Sequence, residues 1–343
     1  MGGDDFTRWF EAVGSGAGIQ NFFSYGNGPH IAPQLESFGR ERVFLSTGIP
    51  CGCCGYDAPS FLPMNSSLAT WYIDETLRQL GTHYADLLLM HHRCATREED
   101  LAVWTAFETA KRMGKAHHLG VSNFNAGELS SLISSLPPRS EPIEVLEAHF
   151  GAGVMDFEAL RFARDHHIHP VGFASLSMKA TDLPGLKPLV TDLAHAHGVS
   201  DSQILYAYLY HHNITVLSSC FHPDELDRCT AYYKQDIALF EIQLSSREMA
   251  MLDNLTAGRR TCTDCFTDEC QACARQLYDL GCPLGKAAGQ PSVFPVWGRG
   301  NKQGVECVAC AELPEHREKV ERACGSTERG ESLETMVPKA CGI

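Results

Sequence analysis

Hydrophobic residues along this chain fall into short continuous runs, which alternate with longer stretches where apolar positions recur every three or four residues. The short runs are typical of strands buried on both faces of a parallel sheet, and the longer stretches are typical of amphipathic helices that cover it. Their alternation predicts an α/β fold built from βα units. The predicted strands span residues 18–23, 43–49, 85–92, 116–121, 143–150, 169–176 and 214–220.

This pattern favours a (β/α)8 TIM-type barrel over an open doubly wound sheet, because no glycine-rich dinucleotide-binding motif follows any predicted strand. Seven strands are predicted where a complete barrel has eight, and residues 6–13 form a helical pattern ahead of the first. The barrel is therefore predicted either to lack its first strand or to have it on a segment upstream of this sequence.

Helices are predicted from apolar spacing around residues 68–80 and 101–107, and from signals at helix ends. Ser200 and Gln203 have the spacing of a capping box, which marks the start of a helix. Gly198 lies where the preceding helix should end, since glycine tolerates the left-handed backbone found there.

The alternating pattern ends near residue 258, which predicts a barrel over 1–258 and an irregular extension over 259–343. Nine of the fifteen cysteines lie in that extension. Three Cys-x2-Cys pairs suit tetrahedral zinc, because two such thiolates can reach one ion, whereas disulfides would indicate an oxidising compartment. The predicted zinc ligands are Cys262, Cys265, Cys270, Cys273, Cys307 and Cys310, with Cys282 held near them.

A second group of cysteines, Cys51, Cys53 and Cys54, follows the predicted strand 43–49. Metal binding, redox chemistry and a variable loop are all compatible with that position.

Composition and charge narrow the classes of partner. The chain has 343 residues and a formal net charge of −14, which argues against nucleic acids and anionic membranes because both attract basic surfaces. No apolar run is long enough for a membrane span, and the acidic start does not resemble a signal peptide. A small-molecule substrate or a protein partner, in a cytoplasmic or organellar matrix compartment, is the expectation that remains.

Candidate chemistry begins at the heptad Leu-Gly-Val-Ser-Asn-Phe-Asn, residues 119–125. It closes the predicted strand 116–121 and places Ser122 and Asn123 at the strand end, where parallel barrels build their active sites. A hydroxyl and an amide suit the neutral carboxamide of a nicotinamide ring, although an Asx turn ending the strand would have the same sequence.

This heptad and several other motifs, in order, resemble the aldo-keto reductases over roughly residues 18–255. Tyr25-Gly-Asn is similar to the motif of the catalytic tyrosine, and the strand 84–91 is similar to the one that ends in the catalytic histidine, here His91. Glu147-Ala-His149 also follows the family, and Phe173 lies near the aromatic residue that stacks under the nicotinamide.

The resemblance implies hydride transfer from NADPH or NADH to a carbonyl. Tyr25 would be the general acid and His91 would orient the carbonyl, while Ser122, Asn123 and Phe173 would bind the cofactor. A tyrosine phenol titrates near pH 10, so the family lowers its pKa with a buried lysine paired with an aspartate.

Several family positions are changed in this chain. No aspartate precedes Tyr25 at the expected place, and Gly48 stands at the lysine position. Val145 replaces the glutamine that contacts the carboxamide, and Glu225 lies near an expected arginine. The residues aligned with the strand end that grips the 2′-phosphate are Ser218, Ser219 and Cys220.

These changes leave two hypotheses. In the first, the chain is a reductase with eroded catalytic and cofactor sites, in which Ser219 and Cys220 still border the bound NADP or NAD. In the second, it is a catalytically inactive barrel that serves as a structural or binding subunit of a larger assembly. Tyr25 would then be an ordinary loop tyrosine and His91 an interior histidine.

Overall fold

The computed structural model describes residues 6–51, 64–94, 96–176, 185–219 and 226–256, and two short strands further along the chain. The strands are β1 (Ala17–Phe22), β2 (Val43–Ile49), β3 (Ala85–Met90), β4 (Ala116–Ser122), β5 (Val145–Ala148), β6 (His169–Gly172), β7 (Thr215–Val216), β8 (Val296–Trp297) and β9 (Cys307–Val308). The helices are α1 (Thr7–Val13), α2 (Gly28–Phe38), α3 (Ser66–Gln79), α4 (Arg97–Arg112), α5 (Ala126–Ser135), α6 (Phe157–Asp165), α7 (Leu186–His197), α8 (Asp201–His211), α9 (Leu226–Ile237) and α10 (Ser246–Thr256).

Seven parallel strands form one sheet in the chain order β1 to β7. The sheet is strongly curled. This is shown by a contact between β1 and β5, four strands away, where the Gln20 side chain donates from Nε2 to Oε2 of Glu147. Such curling gives a half-barrel whose interior is closed by side chains from opposite sides. The predicted α/β barrel with seven strands is confirmed, and β1 is the first strand of the described sheet.

The main hydrophobic core lies between this sheet and its helices. Leu88 of β3 and Val121 of β4 pack with Trp104 and Phe107 of α4, which confirms the helix predicted around 101–107. Trp104 Nε1 donates to the main-chain oxygen of Glu141 at 3.2 Å, so the one polar atom of this buried ring has a partner.

Helix ends follow the local sequence signals. The Ser200 and Gln203 side chains each bind the other's main-chain amide, which confirms the predicted capping box at the start of α8. Gly198 ends α7 with a φ of 67°, a left-handed conformation that costs glycine little. A second capping box, Asn125 with Glu128, starts α5 directly after the motif that carries Ser122.

Helix α1 confirms the helical pattern at residues 6–13 and covers the outer edge of β1. Trp9 Nε1 donates to the main-chain oxygen of Gly18 at 2.9 Å, and Phe10 stacks on Phe38 of α2 with ring centroids 4.5 Å apart. The indole thereby provides a donor for an edge carbonyl that no neighbouring strand reaches within the described sheet.

Four predicted strands were too long at their ends. The runs 85–92, 143–150, 169–176 and 214–220 contain β3, β5, β6 and β7. The runs of β3 and β6 extend only past the carboxyl end, whereas those of β5 and β7 extend past both ends. Residues beyond the strands remain buried in loops, as His92, Phe150 and Ser175 show. Burial therefore sustains the apolar pattern after the backbone has left the sheet, and a pattern of burial alone cannot locate that point.

No helix among the described residues is long and apolar enough to cross a membrane. The predicted cysteine ligands of the extension lie outside the described residues, apart from Cys307, which begins β9, so zinc or disulfides there stay a prediction. Within the described part of the chain, no group of three or more histidine, cysteine or acidic side chains is placed to hold a metal ion.

Candidate functional site

Tyr25 and His91 lie side by side at the carboxyl end of the sheet. Tyr25 ends a 3₁₀ turn that follows β1 and is half exposed, whereas His91 follows β3 and is buried. Their rings meet edge to face with centroids 6.0 Å apart, and Ser24 Oγ lies 3.5 Å from His91 Nδ1. The structure thus brings together the two residues predicted to be catalytic.

Phe22 fills the space beside Gly48, the position where the family resemblance predicts a lysine. Its ring stacks on His91 with centroids 3.8 Å apart and lies against Gly48 of β2. A Cβ atom at position 48 would collide with the Phe22 ring and lie 2.6 Å from the main-chain oxygen of Leu89. Glycine is therefore required there, and an aromatic ring occupies the place beside the histidine where a cation was expected.

The buried carboxyl of Glu147 joins β1, β4 and β5 inside the barrel. Gln20 Nε2 donates to Glu147 Oε2, and Ser122 Oγ donates to Glu147 Oε1 at 3.2 Å. Burial raises the pKa of Glu147 to about 7, although the Gln20 bond, the charge of His91 and the Ser122 bond each lower it. Gln20 lies five residues before Tyr25, and neither Gln20 nor Glu147 was predicted as a site residue.

Asn123 connects the predicted cofactor residues with the predicted catalytic ones. Its backbone is left-handed, with a φ of 62°, and its Nδ2 donates to the His91 main-chain oxygen at 2.8 Å and to Ser122 Oγ at 3.1 Å. Both amide hydrogens are then used within the protein, which leaves the Asn123 oxygen as the atom that can accept from a carboxamide. The Asn123 side chain therefore bonds to the segment after the neighbouring strand β3, beyond the local backbone that an Asx turn would use.

Phe173, predicted to stack under a nicotinamide, follows β6 and is partly buried. It stacks on His149 with ring centroids 5.3 Å apart and an interplanar angle of 13°. Burial lowers the pKa of His149 to about 4, against the effect of a hydrogen bond with Ala174, so this ring is neutral at pH 7. The pair gives one wall of the site an uncharged aromatic surface.

Ser218 and Ser219 leave the sheet just after β7. Leu217 N donates to the Gly172 main-chain oxygen at 2.9 Å, which extends the contact with β6 by one residue. Ser219 is exposed, and its predicted contact with a cofactor stays a prediction. Cys220 and Glu225 lie outside the described residues, so their predicted roles stay predictions.

A disulfide joins the loops after β2 and β3. Cys51 and Cys94 are bonded, are both buried, and have Cα atoms 4.8 Å apart. The Cys94 amide donates to Asp100 Oδ1 at 2.6 Å, and burial raises the pKa of Asp100 to about 7 despite that bond. Of the alternatives given for Cys51, Cys53 and Cys54, redox chemistry is the one observed for Cys51, as a disulfide, whereas Cys53 and Cys54 lie outside the described residues.

Sequence reasoning missed the partner of Cys51, because Cys94 is 43 residues away and has no motif around it. Disulfides persist mainly in oxidising environments. The expected cytoplasmic or matrix location stays a prediction, and this bond is an observation against it.

The site can be compared with the needs of a nicotinamide dinucleotide. Asn123 Oδ1 and the Ser122 hydroxyl offer an acceptor and a polar contact for a carboxamide, and Phe173 offers an apolar face. In addition, Ser175 Oγ after β6 is buried and lacks a hydrogen-bond partner among the described residues, so a polar ligand atom would satisfy it. These residues fit the nicotinamide half of such a cofactor.

The chain is similar in sequence to known aldo-keto reductases. The sequence model of the aldo/keto reductase family matches residues 25–257. Aldo-keto reductase AKR2E4 of Bombyx mori is 29% identical over 55% of this chain and 62% of its own length. Methylglyoxal reductase YeaE of Escherichia coli strain K12 is 25% identical over 74% of this chain and 87% of its own.

Among solved structures, an aldo-keto reductase from a Medee basin deep-sea metagenome library has a TM-score of 0.62. The two chains are 19% identical, and the match covers 74% of this chain and 85% of the metagenome enzyme. At that identity the likeness concerns the fold alone.

Proposed function

The chain belongs to the aldo/keto reductase family, and from that premise we propose that it reduces a carbonyl substrate with a reduced nicotinamide cofactor. The supporting observation is the bond from Asn123 Nδ2 to the main-chain oxygen of His91, since it holds the carboxamide-binding position beside the carbonyl-orienting one. When bound, the reduced nicotinamide supplies the hydride.

In this proposal Tyr25 gives the proton to the carbonyl oxygen. Its phenol is half exposed, so a substrate can reach it, and His91 is held in one orientation by the Phe22 ring and by Ser24. A preorganised imidazole can direct the carbonyl oxygen toward the phenol without a reorganisation cost.

The reaction is expected to be slow, because Gly48 has no side chain that could place a positive charge near the Tyr25 phenol. A phenol without a neighbouring cation is a weak proton donor at neutral pH, and it is rarely ionised there, as the base for alcohol oxidation must be. Carbonyl reduction is therefore the direction that this site favours.

A second candidate function is binding without turnover. The Phe22 ring that covers Gly48 favours it, because that ring stacks on one face of His91 and limits its contact with a substrate. Such a chain would bind a nicotinamide dinucleotide as a structural ligand, or would act as the binding subunit of an assembly.

Tyr25→Phe separates these functions. We expect the variant to lose about 10²–10⁴-fold in kcat/KM for methylglyoxal or an aromatic aldehyde, since it lacks only the proton donor. Cofactor Kd should be unchanged in calorimetric titration. The control is Tyr210→Phe, which removes a hydroxyl from a comparably exposed tyrosine of α8.

Equal turnover by the Tyr25→Phe variant and the parent would exclude Tyr25 as the acid. Micromolar cofactor binding by the parent with no turnover of either aldehyde would instead support the second candidate.

A further inference from the structure

Asp236 lies beside the loop where β7 leaves the sheet. It is in the last turn of α9, is partly buried, and its carboxylate accepts a hydrogen bond from the Ser218 hydroxyl. Ser219, the next residue after Ser218, is exposed. A carboxylate therefore borders the position where the family resemblance predicts binding of the cofactor 2′-phosphate by a cationic side chain.

The position of Asp236 is fixed by the capping box of α8. Gln203 Nε2 donates to the main-chain oxygen of Gln235 at 3.2 Å, and Ser200 Oγ donates to Gln235 Oε1 at 3.3 Å. Because α8 ends where the chain enters β7, its first residues lie at the carboxyl end of the sheet. The last turn of α9 is thus held at the same end as the candidate site.

Two physical features at this place disfavour an anion. Asp236 itself is acidic, and the carboxyl end of α9 adds the negative end of a helix dipole. Burial raises the pKa of the Asp236 carboxyl, and the hydrogen bond from Ser218 lowers it. Burial and the charge of Asp236 both raise the pKa of Tyr206. Lys234 is exposed two residues earlier, a spacing that places it on another side of the helix.

We propose that Asp236, held by Ser218, accepts a hydrogen bond from the 2′-hydroxyl of an adenosine ribose and excludes a 2′-phosphate. The chain then takes NADH in preference to NADPH. In parallel barrels, phosphate groups are frequently bound by the loops after the last strands, and an acidic residue on the ribose 2′-hydroxyl is a general means of selecting NAD. This inference rests on the proposed function and adds the cofactor class to it.

The test measures binding, so it does not depend on turnover. Titration calorimetry of the full chain with NADH and NADPH, and with 5′-AMP and 2′,5′-ADP as adenosine probes, should show the unphosphorylated member of each pair binding at least about tenfold tighter, because like charges repel at close range. Asp236→Asn keeps an acceptor for Ser218 but removes the charge, and should bring both ratios close to one by tightening the phosphorylated ligands.

Ser219→Lys should move the ratios in the same direction, by adding a cation at an exposed position. Asp192→Asn is the matched control, since it removes one negative charge from an exposed position of α7 and should leave the ratios unchanged. Unfolding temperatures of all variants show whether a change reflects folding instead.

Binding of NADPH as tight as that of NADH in the parent, or ratios unaffected by Asp236→Asn, would overturn the role of Asp236 and leave the reductase proposal intact. Failure of the parent to bind either dinucleotide at millimolar concentration would overturn both.

Discussion

Glu147 is the residue whose ionisation should affect the folded state most directly. It is buried between Gln20 and Ser122, and its pKa of about 7 lies well above the ordinary value of 4.5. The folded chain therefore holds a proton that the unfolded chain releases between these two pH values. The stability contributed by that proton is fully present below pH 4.5 and is lost as pH rises through about 7.

Glu147→Gln should accordingly flatten the pH dependence of folding. We expect the parent to lose on the order of 2–3 kcal/mol of unfolding free energy between pH 5 and 8 through this group, and the variant to lose less. Urea unfolding at several pH values measures this. Asp100 acts in the same direction and His149 in the opposite one, so the variant keeps the slope that these two groups leave. Exposed Glu36→Gln is the control, and identical slopes in all three proteins would show that Glu147 ionises normally.

At the scale of single residues, the sequence predicted the members of short motifs and missed their long-range partners. Ser122 and Asn123 were predictable because both lie within one heptad at a strand end. The Gln20–Glu147 contact joins residues 127 positions apart and depends on how far the sheet curls. The place taken by Phe22 could not be deduced either, because glycine at position 48 reports only that a side chain is absent.

At the scale of elements, the packing of β1 on β2 depends on the match between Phe22 and Gly48. A methyl group at position 48 would meet both the Phe22 ring and the Leu89 oxygen. Overpacking of this kind typically costs about 1–3 kcal/mol, and truncating a buried phenylalanine costs about 3–5 kcal/mol.

A double-mutant cycle tests this match. We expect Phe22→Ala with Gly48→Ala to be at least about 1 kcal/mol less destabilising than the sum of the single changes, because removing the ring makes room for the methyl group. Phe22→Ala with Gly172→Ala should be additive, since Gly172 on β6 faces Ile214 and Phe150 instead. Chemical denaturation of the six proteins gives the couplings. Additivity at position 48 would show that the Leu89 oxygen alone restricts it.

Element starts were easier to predict than element ends. Capping residues act within three positions, so the start of α8 at Ser200 follows from local sequence. The carboxyl ends of β3 and β6 depend on where a neighbouring strand stops pairing, which is a property of two segments. Since the site lies at those ends, the least predictable boundaries are also the functional ones.

At the scale of the whole molecule, the sheet is closed by side chains from distant segments. Gln20 and Glu147 meet across the interior, while α1 covers the edge of β1 through the Trp9 indole. The alternation of βα units was sufficient to predict seven parallel strands. It could not show how the site loops are tied to one another, because that depends on bonds between loops.

The Cys51–Cys94 disulfide ties the loop after β2 to the segment that carries His91, and it should stabilise the molecule as a whole. A cross-link between residues 43 apart removes loop entropy from the unfolded chain worth up to about 4 kcal/mol. We expect Cys51→Ser with Cys94→Ser to lose about 2–4 kcal/mol of unfolding free energy in urea titrations. Cys229→Ser serves as a comparison, because it breaks a different disulfide, on α9, and leaves the loops after β2 and β3 cross-linked.

The same double variant should weaken carbonyl reduction more than cofactor binding, since Asn123 can still hold the carboxamide while the segment that carries His91 loses one of its restraints. Peptide mapping without reductant must recover the 51–94 cross-link from the parent. Free thiols at both positions in the oxidised protein, or equal stability with and without the bond, would show that the two loops are held by packing alone.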